Sequence, residues 1–251
     1  MTQRVILITG GTGKLGRLFT KYFLNKGQVV IATGRSEESL EKLRESFPEK
    51  KLETIVVDFS DSQSVKNLVI KLHEKDMMPD SLINNARSLE CLAIGDKGVI
   101  SRDNFMQEYL IDVVAPYELT MELVHYKDSK LKHVINIGSQ YGLVAANPSL
   151  YTDPKQQSAI HYSVAKAAVG HLTKELSVRL ADEGVQVNCV AFGGIEGRVD
   201  EAFKKRYAAL CPMGRMLTEA EVAGPVGYLL SDASSGMTGQ IMAVDGGWSV
   251  W

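Results

Sequence analysis

The sequence predicts an α/β fold in which a doubly wound parallel sheet of about seven strands carries helices on both faces. Short runs rich in Val and Ile, typical of strands buried on both sides, alternate with helical patterns from end to end. A glycine-rich turn joins the first of these runs to the first helix. Because the 251 residues contain no linker, repeat or low-complexity stretch, they are expected to form one domain, residues 1–251.

The composition is ordinary for a globular enzyme and excludes several functional classes. Hydrophobic residues make up 45%, charged residues 23% and the net charge is −2, so neither nucleic acid nor a membrane is an expected partner. No apolar run is as long as a membrane span, and the early first strand leaves no room for a signal peptide, which favours the cytoplasm. Cys91, Cys189 and Cys211 form no paired motif, and the scattered histidines indicate no metal site.

The first strand and helix carry a signal of function. The apolar run from Arg4 to Ile8 ends in a turn that holds glycines at positions 10, 11, 13 and 16, and apolar residues then recur at helical spacing. A strand, a glycine turn and a helix present free backbone N–H groups to a phosphate. A Walker A loop is excluded because Lys14 is followed by Leu15, where Ser or Thr would be needed. A tight turn without a ligand remains the alternative.

The next elements complete the first half of the sheet. A second strand, 28–33, ends in the turn Gly34-Arg35-Ser36, and Ser36 is placed to cap a helix that runs to about Phe47. A third strand, 52–57, is closed by Asp58 and Phe59. Ser60 or Asp61 is expected to cap the following helix.

The second half repeats the alternation with longer connections. The predicted strands are 80–83, 132–137, 185–191 and 240–244, and the predicted helices are about 102–125, 159–182 and 219–230. Residues 140–158 are predicted to form a long loop, and residues 192–218 a mobile segment that contains some helix. Ligands of parallel sheets bind outside the carboxyl ends of the strands, where Asp58, Asn85 and Ser139 fall.

Tyr162 and Lys166 are spaced to share one helical face. A phenol ordinarily titrates near pH 10, and a neighbouring cation favours its ionised form. Such a tyrosine can exchange a proton with an alcohol or ketone while a hydride leaves or arrives. The alternative is a half-buried helix face with a lysine that reaches to solvent.

Together these features resemble the short-chain dehydrogenase/reductase family over the whole chain. The matching motifs are the glycines at 10, 13 and 16, Asp58, Asn85-Ala86, Ser139, Tyr162, Lys166, Val187 to Val190, and the ending from Thr238 to Gly247. In this family the tyrosine is the acid/base, the serine orients the substrate oxygen and the lysine also holds the nicotinamide ribose. The resemblance implies a Rossmann-like fold and an NAD(P)-dependent oxidoreductase of EC 1.1.1.- type, a homo-oligomer (dimer or tetramer) acting on a small molecule.

The resemblance also implies a set of site residues. The implied catalytic residues are Ser139, Tyr162, Lys166 and, at the position of the family's fourth catalytic residue, Asp112. The implied cofactor-binding residues are Gly10, Thr12, Gly13, Lys14, Leu15, Gly16, Arg35, Asp58, Phe59, Asn85, Ala86, Arg87, Tyr162, Lys166, Gly193 and Ile195.

The chain departs from the family pattern at several positions. Arg87 stands where glycine is usual, Asp112 replaces an asparagine, and Phe192 replaces a proline. The glycine spacing is that of the longer branch that modifies sugar nucleotides. The long gap between Ser139 and Tyr162 resembles oxidoreductases of bacterial flagellin and surface-glycan sugar pathways.

Three functions follow as hypotheses. The first is hydride transfer between NAD(P) and a hydroxyl or ketone of a small polar substrate such as a sugar derivative. The second is epimerase or dehydratase chemistry on a nucleotide sugar, although the extra C-terminal substrate region of that branch is missing. The third is a catalytically inactive nucleotide-binding protein, which the departures at Arg87 and Asp112 keep open.

Cofactor preference and substrate choice depend on three regions. NADP(H) is favoured over NAD(H) because no acid precedes Glu37 at the end of the second strand, while Arg35 and Lys14 offer cations to a 2′-phosphate. Arg35 pointing only to solvent is the alternative.

The segments 140–158 and 193–217 are expected to cap the substrate. They carry Tyr141, Asn147, Tyr151 and Asp153 in the first, and Glu196, Arg198, Asp200, Glu201, Lys204, Lys205 and Arg206 with hinge glycines in the second.

Overall fold

The computed structural model describes residues 3–48, 50–95, 98–153, 157–197 and 199–251. Within them, seven parallel strands form one sheet in the order β3-β2-β1-β4-β5-β6-β7. The strands are β1 (Val5–Ile8), β2 (Val29–Gly34), β3 (Leu52–Val56), β4 (Ser81–Asn84), β5 (His133–Ser139), β6 (Gln186–Phe192) and β7 (Ile241–Val244). The predicted doubly wound sheet is confirmed, and the strand order reverses beside β1.

Helices cover both faces of this sheet. They are α1 (Lys14–Asn25), α2 (Glu37–Glu45), α3 (Ser64–Glu74), α4 (Arg102–Tyr109), α5 (Ala115–His125), α6 (Ile160–Arg179), α7 (Glu201–Leu210) and α8 (Ala223–Leu229). Short 3₁₀ turns lie at Glu90–Leu92, Gln140–Gly142, Pro148–Leu150, Glu219–Glu221, Asp232–Ser234 and Trp248–Val250.

Successive side chains of each strand point to opposite faces of the sheet, so they pack into two separate hydrophobic cores. Leu7 packs with Leu68 of α3 and Leu119 of α5 on one face. Ile6 packs with Phe19 of α1 on the other face, in the same cluster as Val226 of α8. Both faces are therefore buried, which is why the strands read as continuous apolar runs rather than alternating ones.

Two predicted helices are interrupted, and a proline accounts for each break. The helix expected over 102–125 contains a π turn at Leu110–Val114, because Pro116 has no N–H to donate to the carbonyl four residues earlier. The helix expected over 219–230 is a 3₁₀ turn followed by α8, which has Pro225 in its first turn. Asp112 thus lies in an irregular turn.

The expected cap of the third helix is also wrong. Its N-cap position is Gln63, whose side chain makes no capping hydrogen bond. The Asp61 carboxylate instead accepts the Gln63 backbone N–H at 3.0 Å, so this acid stabilises the turn before the helix.

Other global features bear on function. No helix in the described part of the chain is long and apolar enough to cross a membrane. The same residues hold no group of three or more His, Cys, Asp or Glu side chains arranged to bind a metal. Cys91, Cys189 and Cys211 are free and buried.

Candidate active site

The glycine turn after β1 is shaped by close backbone contacts, both within the turn and with Ala86 after β4. Gly10 has a φ of +65°, and a Cβ there would lie 2.8 Å from the Ala86 Cα. A Cβ at Gly16 would meet the Gly10 carbonyl and lie 2.7 Å from the Gly11 Cα. These two glycines are therefore required by the fold of the loop itself, before any ligand is considered.

The amino end of α1 offers donors to an anion. Its N-cap, Gly13, provides no side-chain cap, and the first turn contains no acid. Among the described residues, the backbone N–H groups of Lys14, Leu15 and Gly16 donate no hydrogen bond that closes the turn. Free donors at a helix N-terminus next to a cavity fit the pyrophosphate of a dinucleotide.

The side chain of Asn85 fastens this loop to the end of β4. Its Nδ2 donates to the carbonyls of Thr9, at 2.8 Å, and Gly10, at 3.1 Å. The Thr9 hydroxyl accepts the backbone N–H groups of both Asn85 and Ala86 at 2.9 Å. Asn85 therefore positions the glycine turn together with Thr9, a residue that the sequence analysis did not single out.

A cleft of about 800 Å³ runs along the carboxyl ends of the strands. It begins at the glycine loop, passes the ends of β2 and β3, and reaches the carboxyl end of β5. The predicted site residues that line it are Gly10, Thr12, Gly13, Lys14, Leu15, Arg35, Asp58, Phe59, Asn85, Ala86, Arg87, Ser139, Tyr162, Lys166, Gly193 and Ile195. Gly16 and Asp112 lie behind the lining.

At the end of the cleft formed by β2 and β3, Arg35 already has a partner. Its guanidinium donates to both carboxylate oxygens of Glu90, at 3.0 and 3.5 Å, and the hydrogen bond to Glu90 raises the pKa of Arg35. Asp58 accepts the backbone N–H and the hydroxyl of Ser60, and these bonds lower the pKa of Asp58. Arg35 is therefore held by an exposed ion pair at the rim of the cleft, with 53% of its side chain still exposed.

Lys14 crosses the cleft instead of pointing along it. Its ammonium donates to the carbonyl of Glu196 and lies 3.4 Å from the Glu219 carboxylate. Lys14 thus ties the glycine loop to the segment that follows β6, and its charge is partly neutralised there.

Lys166 is buried at the opposite end of the cleft. Its ammonium lies 2.9 Å from the Asp112 carboxylate, donates to the carbonyl of Ile137 at 3.0 Å, and lies 5.8 Å from the centre of the Tyr162 ring. Burial opposes the charged form of Lys166. The negative charge of Asp112 and the electrostatic interaction with Tyr162 outweigh this effect and raise the pKa of Lys166. The lysine is held as an ammonium.

Ser139 ends β5 on the same side of the cleft. Its side chain is buried, and its hydroxyl accepts the backbone N–H of Tyr141 at 3.2 Å. Because that bond uses a lone pair, the hydroxyl hydrogen remains available to an oxygen in the cleft.

Glu108 is a buried acid that sequence reasoning missed. It is 0% exposed, and neither carboxylate oxygen has a hydrogen-bond partner among the described residues. Burial, reinforced by the charge of Asp112 one turn along the helix, raises its pKa to about 7. The polar run around Glu108 looks like a solvated helix face, so composition alone gave no signal.

Arg87 lies against the candidate acid/base. Its guanidinium carbon is 4.4 Å from the centre of the Tyr162 ring, which is cation–π geometry. Both residues also line a second cavity of about 200 Å³, together with Leu92, Tyr151, Gln157, Ser158 and Ala159.

The two predicted capping segments pack on each other. Tyr207 of α7 donates its hydroxyl to Gln140, and that hydroxyl accepts the Gly194 N–H, both at 2.9 Å. Arg206 donates to the Leu150 carbonyl at 2.8 Å, which ties α7 to the first capping segment. The hydroxyls of Tyr141 and Tyr151 are hydrogen-bonded to each other at 2.9 Å. Residues 154–156 and Arg198 lie outside the described residues.

Comparison with known proteins agrees with this geometry. A sequence model of the family described as enoyl-(acyl carrier protein) reductase matches residues 14–249. The chain is 31% identical over 253 residues to 3-oxoacyl-(acyl-carrier-protein) reductase of Thermotoga maritima, with 97% of both chains covered. It is 26% identical to the post-translational flagellin modification protein A of Campylobacter coli, with 100% of both covered. A crystal structure of a short chain dehydrogenase from Leptospira borgpetersenii with bound NAD⁺ has a TM-score of 0.87 and 27% identity over 98% of this chain and 93% of that one.

Proposed function

This chain belongs to the short-chain dehydrogenase/reductase family and is an NAD(P)-dependent oxidoreductase, and we propose that it moves a hydride between the nicotinamide and a hydroxyl or ketone of a small polar substrate. In this proposal the whole chain, residues 1–251, acts as one nucleotide-binding domain. The observation that carries it is the continuity of a single cleft from the free amides of α1 to Tyr162 and Lys166.

The chain's own residues divide the work along that cleft. The bound cofactor supplies or accepts the hydride. The amides at the start of α1 hold its phosphates, with Gly10 and Gly16 keeping the loop in shape. Because Lys166 also lines the cleft, its ammonium can reach the nicotinamide ribose.

Tyr162 is the proton donor for reduction and the acceptor for oxidation. The guanidinium of Arg87 lies 4.4 Å and the ammonium of Lys166 5.8 Å from the centre of its ring, so both positive charges are near the group that exchanges the proton. Ser139 donates its hydroxyl hydrogen to the substrate oxygen and so orients it toward Tyr162. Asp112 acts from behind, by keeping Lys166 charged.

We propose NADP(H) as the favoured cofactor, with NAD(H) as the alternative. The turn Gly34-Arg35-Ser36 offers no acid to repel a 2′-phosphate, and all three residues line the cleft. The pairing of Arg35 with Glu90 works against this preference, because a phosphate must displace the carboxylate or share the guanidinium with it. The preference is therefore set by the competition between Glu90 and the phosphate.

We propose that segments 140–158 and 193–217 enclose the substrate. Their mutual packing through Tyr207, Arg206 and Gln140 supports a single cap, and Tyr151 lines the cavity beside Tyr162. The hydroxyls of Tyr151 and Ser158 and the amide of Gln157, which line that cavity, suit a polar substrate better than a sterol-like one.

A cytoplasmic homo-oligomer is also proposed. Val164 is 43% exposed and Val178 is 77% exposed on α6, and they are two heptads apart on one face with His171 between them. Met106 on the adjoining α4 is 64% exposed. Exposed apolar side chains on two adjoining helices fit contact with a second copy of the chain. Light scattering should give a multimer whose mass falls in Val164→Asp, and a monomeric wild type would contradict the proposal.

Turnover of a substrate panel tests the proposed chemistry. Small hydroxy and keto compounds, including sugars and their phosphates, are supplied with each cofactor, and nicotinamide absorbance is followed. We expect stereospecific hydride transfer to or from at least one compound, reduced about a hundredfold in Ser139→Ala. Cofactor binding without turnover of any compound would favour a nucleotide-binding protein, and release of an epimer without net cofactor reduction would favour epimerase chemistry.

A further inference from the structure

Arg87 occupies the boundary between the cofactor cleft and the smaller cavity. It follows β4, is exposed, and lines both spaces, as does Tyr162. The face of its guanidinium lies over the Tyr162 ring. Because the N–H donors of a guanidinium point outward in its plane, stacking leaves the edge of the group free to bind.

Within the described ranges no ion pair holds the guanidinium, although its charge acts on the buried Glu108 and opposes the rise in the pKa of that acid. Arg35 and Arg215 each use both terminal nitrogens to donate to the two carboxylate oxygens of one glutamate. Arg87, by contrast, makes neither an ion pair nor a hydrogen bond among the described residues. A free fork of donors at a cavity wall is the arrangement that binds a carboxylate or a phosphate in two-point fashion.

The charges around the reaction centre agree. Of the described residues that line the two cavities, only Asp58 is acidic, and it lies at the far end beside Arg35. Asp112 is behind the wall and matched by Lys166. Glu108 is fully buried, and with a pKa of about 7 it carries only part of a negative charge at neutral pH. The space beside Tyr162 is therefore positive.

We propose that Arg87 anchors an anionic group of the substrate, a carboxylate or a phosphate, and thereby places the reacting carbon at Tyr162. This inference rests on the proposed oxidoreductase function and narrows its substrate class to small hydroxy or keto compounds that carry a negative charge. The nearness of the guanidinium to the Tyr162 ring requires the anionic group to lie close to the reacting carbon. Holding the substrate at both points fixes its orientation for hydride transfer.

Direct binding of small anions tests this without a known substrate. Acetate and inorganic phosphate are titrated by calorimetry into the enzyme saturated with NADP⁺, so that the amides of α1 are already occupied. We expect saturable binding of one probe, weakened about tenfold or more in Arg87→Gln. Arg102→Gln is the matched control, because Arg102 is an exposed arginine that lines neither cavity, and it should bind like wild type. The probe that binds tells carboxylate from phosphate.

Two outcomes would overturn the proposal. One is the absence of saturable binding of either probe to the wild-type complex, and the other is equal binding to wild type and Arg87→Gln. Failure of the oxidoreductase function is seen separately, in the substrate panel. When a charged and a neutral form of one substrate both turn over, Arg87→Gln should lower kcat/KM at least about tenfold more for the charged form than for the neutral form, and an equal loss on both forms would also contradict the anchor.

Discussion

The ammonium of Lys166 and the carboxylate of Asp112 lie 2.9 Å apart, with side chains 8% and 0% exposed. Asp112 reaches this position because the chain makes a π turn at Leu110–Val114, between α4 and α5. An acid in this place holds the lysine by charge, where an amide could hold it only by hydrogen bonding. The pair therefore defines how this chain keeps its lysine ionised.

Removal of the Asp112 charge should change both stability and pH dependence. In Asp112→Asn the buried ammonium loses its counter-charge, so the free energy of unfolding should fall by about 3 kcal/mol. The pKa of Lys166 should also fall, because the acid that raises it is gone. The alkaline limb of the kcat profile should then move to lower pH. Chemical denaturation and a pH–rate profile check the two effects, and an unaltered profile would show that Asp112 does not act through Lys166.

Glu108 should destabilise the protein above neutral pH. The pKa of Glu108 is about 7 in the folded protein, against 4.5 for an exposed glutamate. Its contribution to the free energy of unfolding is therefore fully present below pH 4.5 and is lost as the pH rises to about 7. The stability of Glu108→Gln relative to wild type should therefore grow by about 3 kcal/mol between those pH values. Thermal unfolding across this range measures the difference. A constant difference at all pH values would mean that Glu108 does not titrate in this range.

The sequence was sufficient for the parts of the site that local chemistry determines. Valine and isoleucine runs located the strands, the glycine turn located the loop before α1, and helical spacing put Tyr162 and Lys166 on one face. Contacts between distant segments were not accessible in this way. The pairing of Arg35 with Glu90 joins residues 55 positions apart. Glu108 appears as a surface residue until the packing of α4 against α6 buries it.

Glu90 should restrain the preference for NADP(H). Glu90→Gln frees the Arg35 guanidinium, so kcat/KM with NADP⁺ relative to NAD⁺ should rise by about threefold, the size of an exposed ion pair. Arg35→Ala should lower the same ratio. Glu175→Gln, which removes a comparable pair with Arg179 on α6, serves as the control and should leave the ratio unchanged. Equal losses for both cofactors in Arg35→Ala would argue against contact with a 2′-phosphate.

Gly13 is the glycine at which cofactor binding can be separated from folding. A Cβ there lies 3.3 Å from the Gly10 carbonyl and otherwise faces the cleft, so Gly13→Ala should fold and bind NADP⁺ about tenfold more weakly. Gly16→Val should lose folding as well, because its side chain meets the loop backbone. Gly224→Ala, with no neighbour near its Cβ, is the control. Fluorescence titration and thermal unfolding of the three variants check this, and wild-type affinity in Gly13→Ala would refute the assignment of the loop.

The central claim is that the Tyr162 hydroxyl carries the proton. Tyr162→Phe removes that one oxygen and keeps the ring on which Arg87 stacks, so folding and cofactor binding should persist. Tyr117→Phe, at an exposed position on α5, is the matched control. The measurement is single-turnover hydride transfer, with the best compound of the substrate panel, in wild type and both variants. The account predicts a loss of about a thousandfold or more in Tyr162→Phe and none in Tyr117→Phe, and near-wild-type transfer in Tyr162→Phe would contradict it.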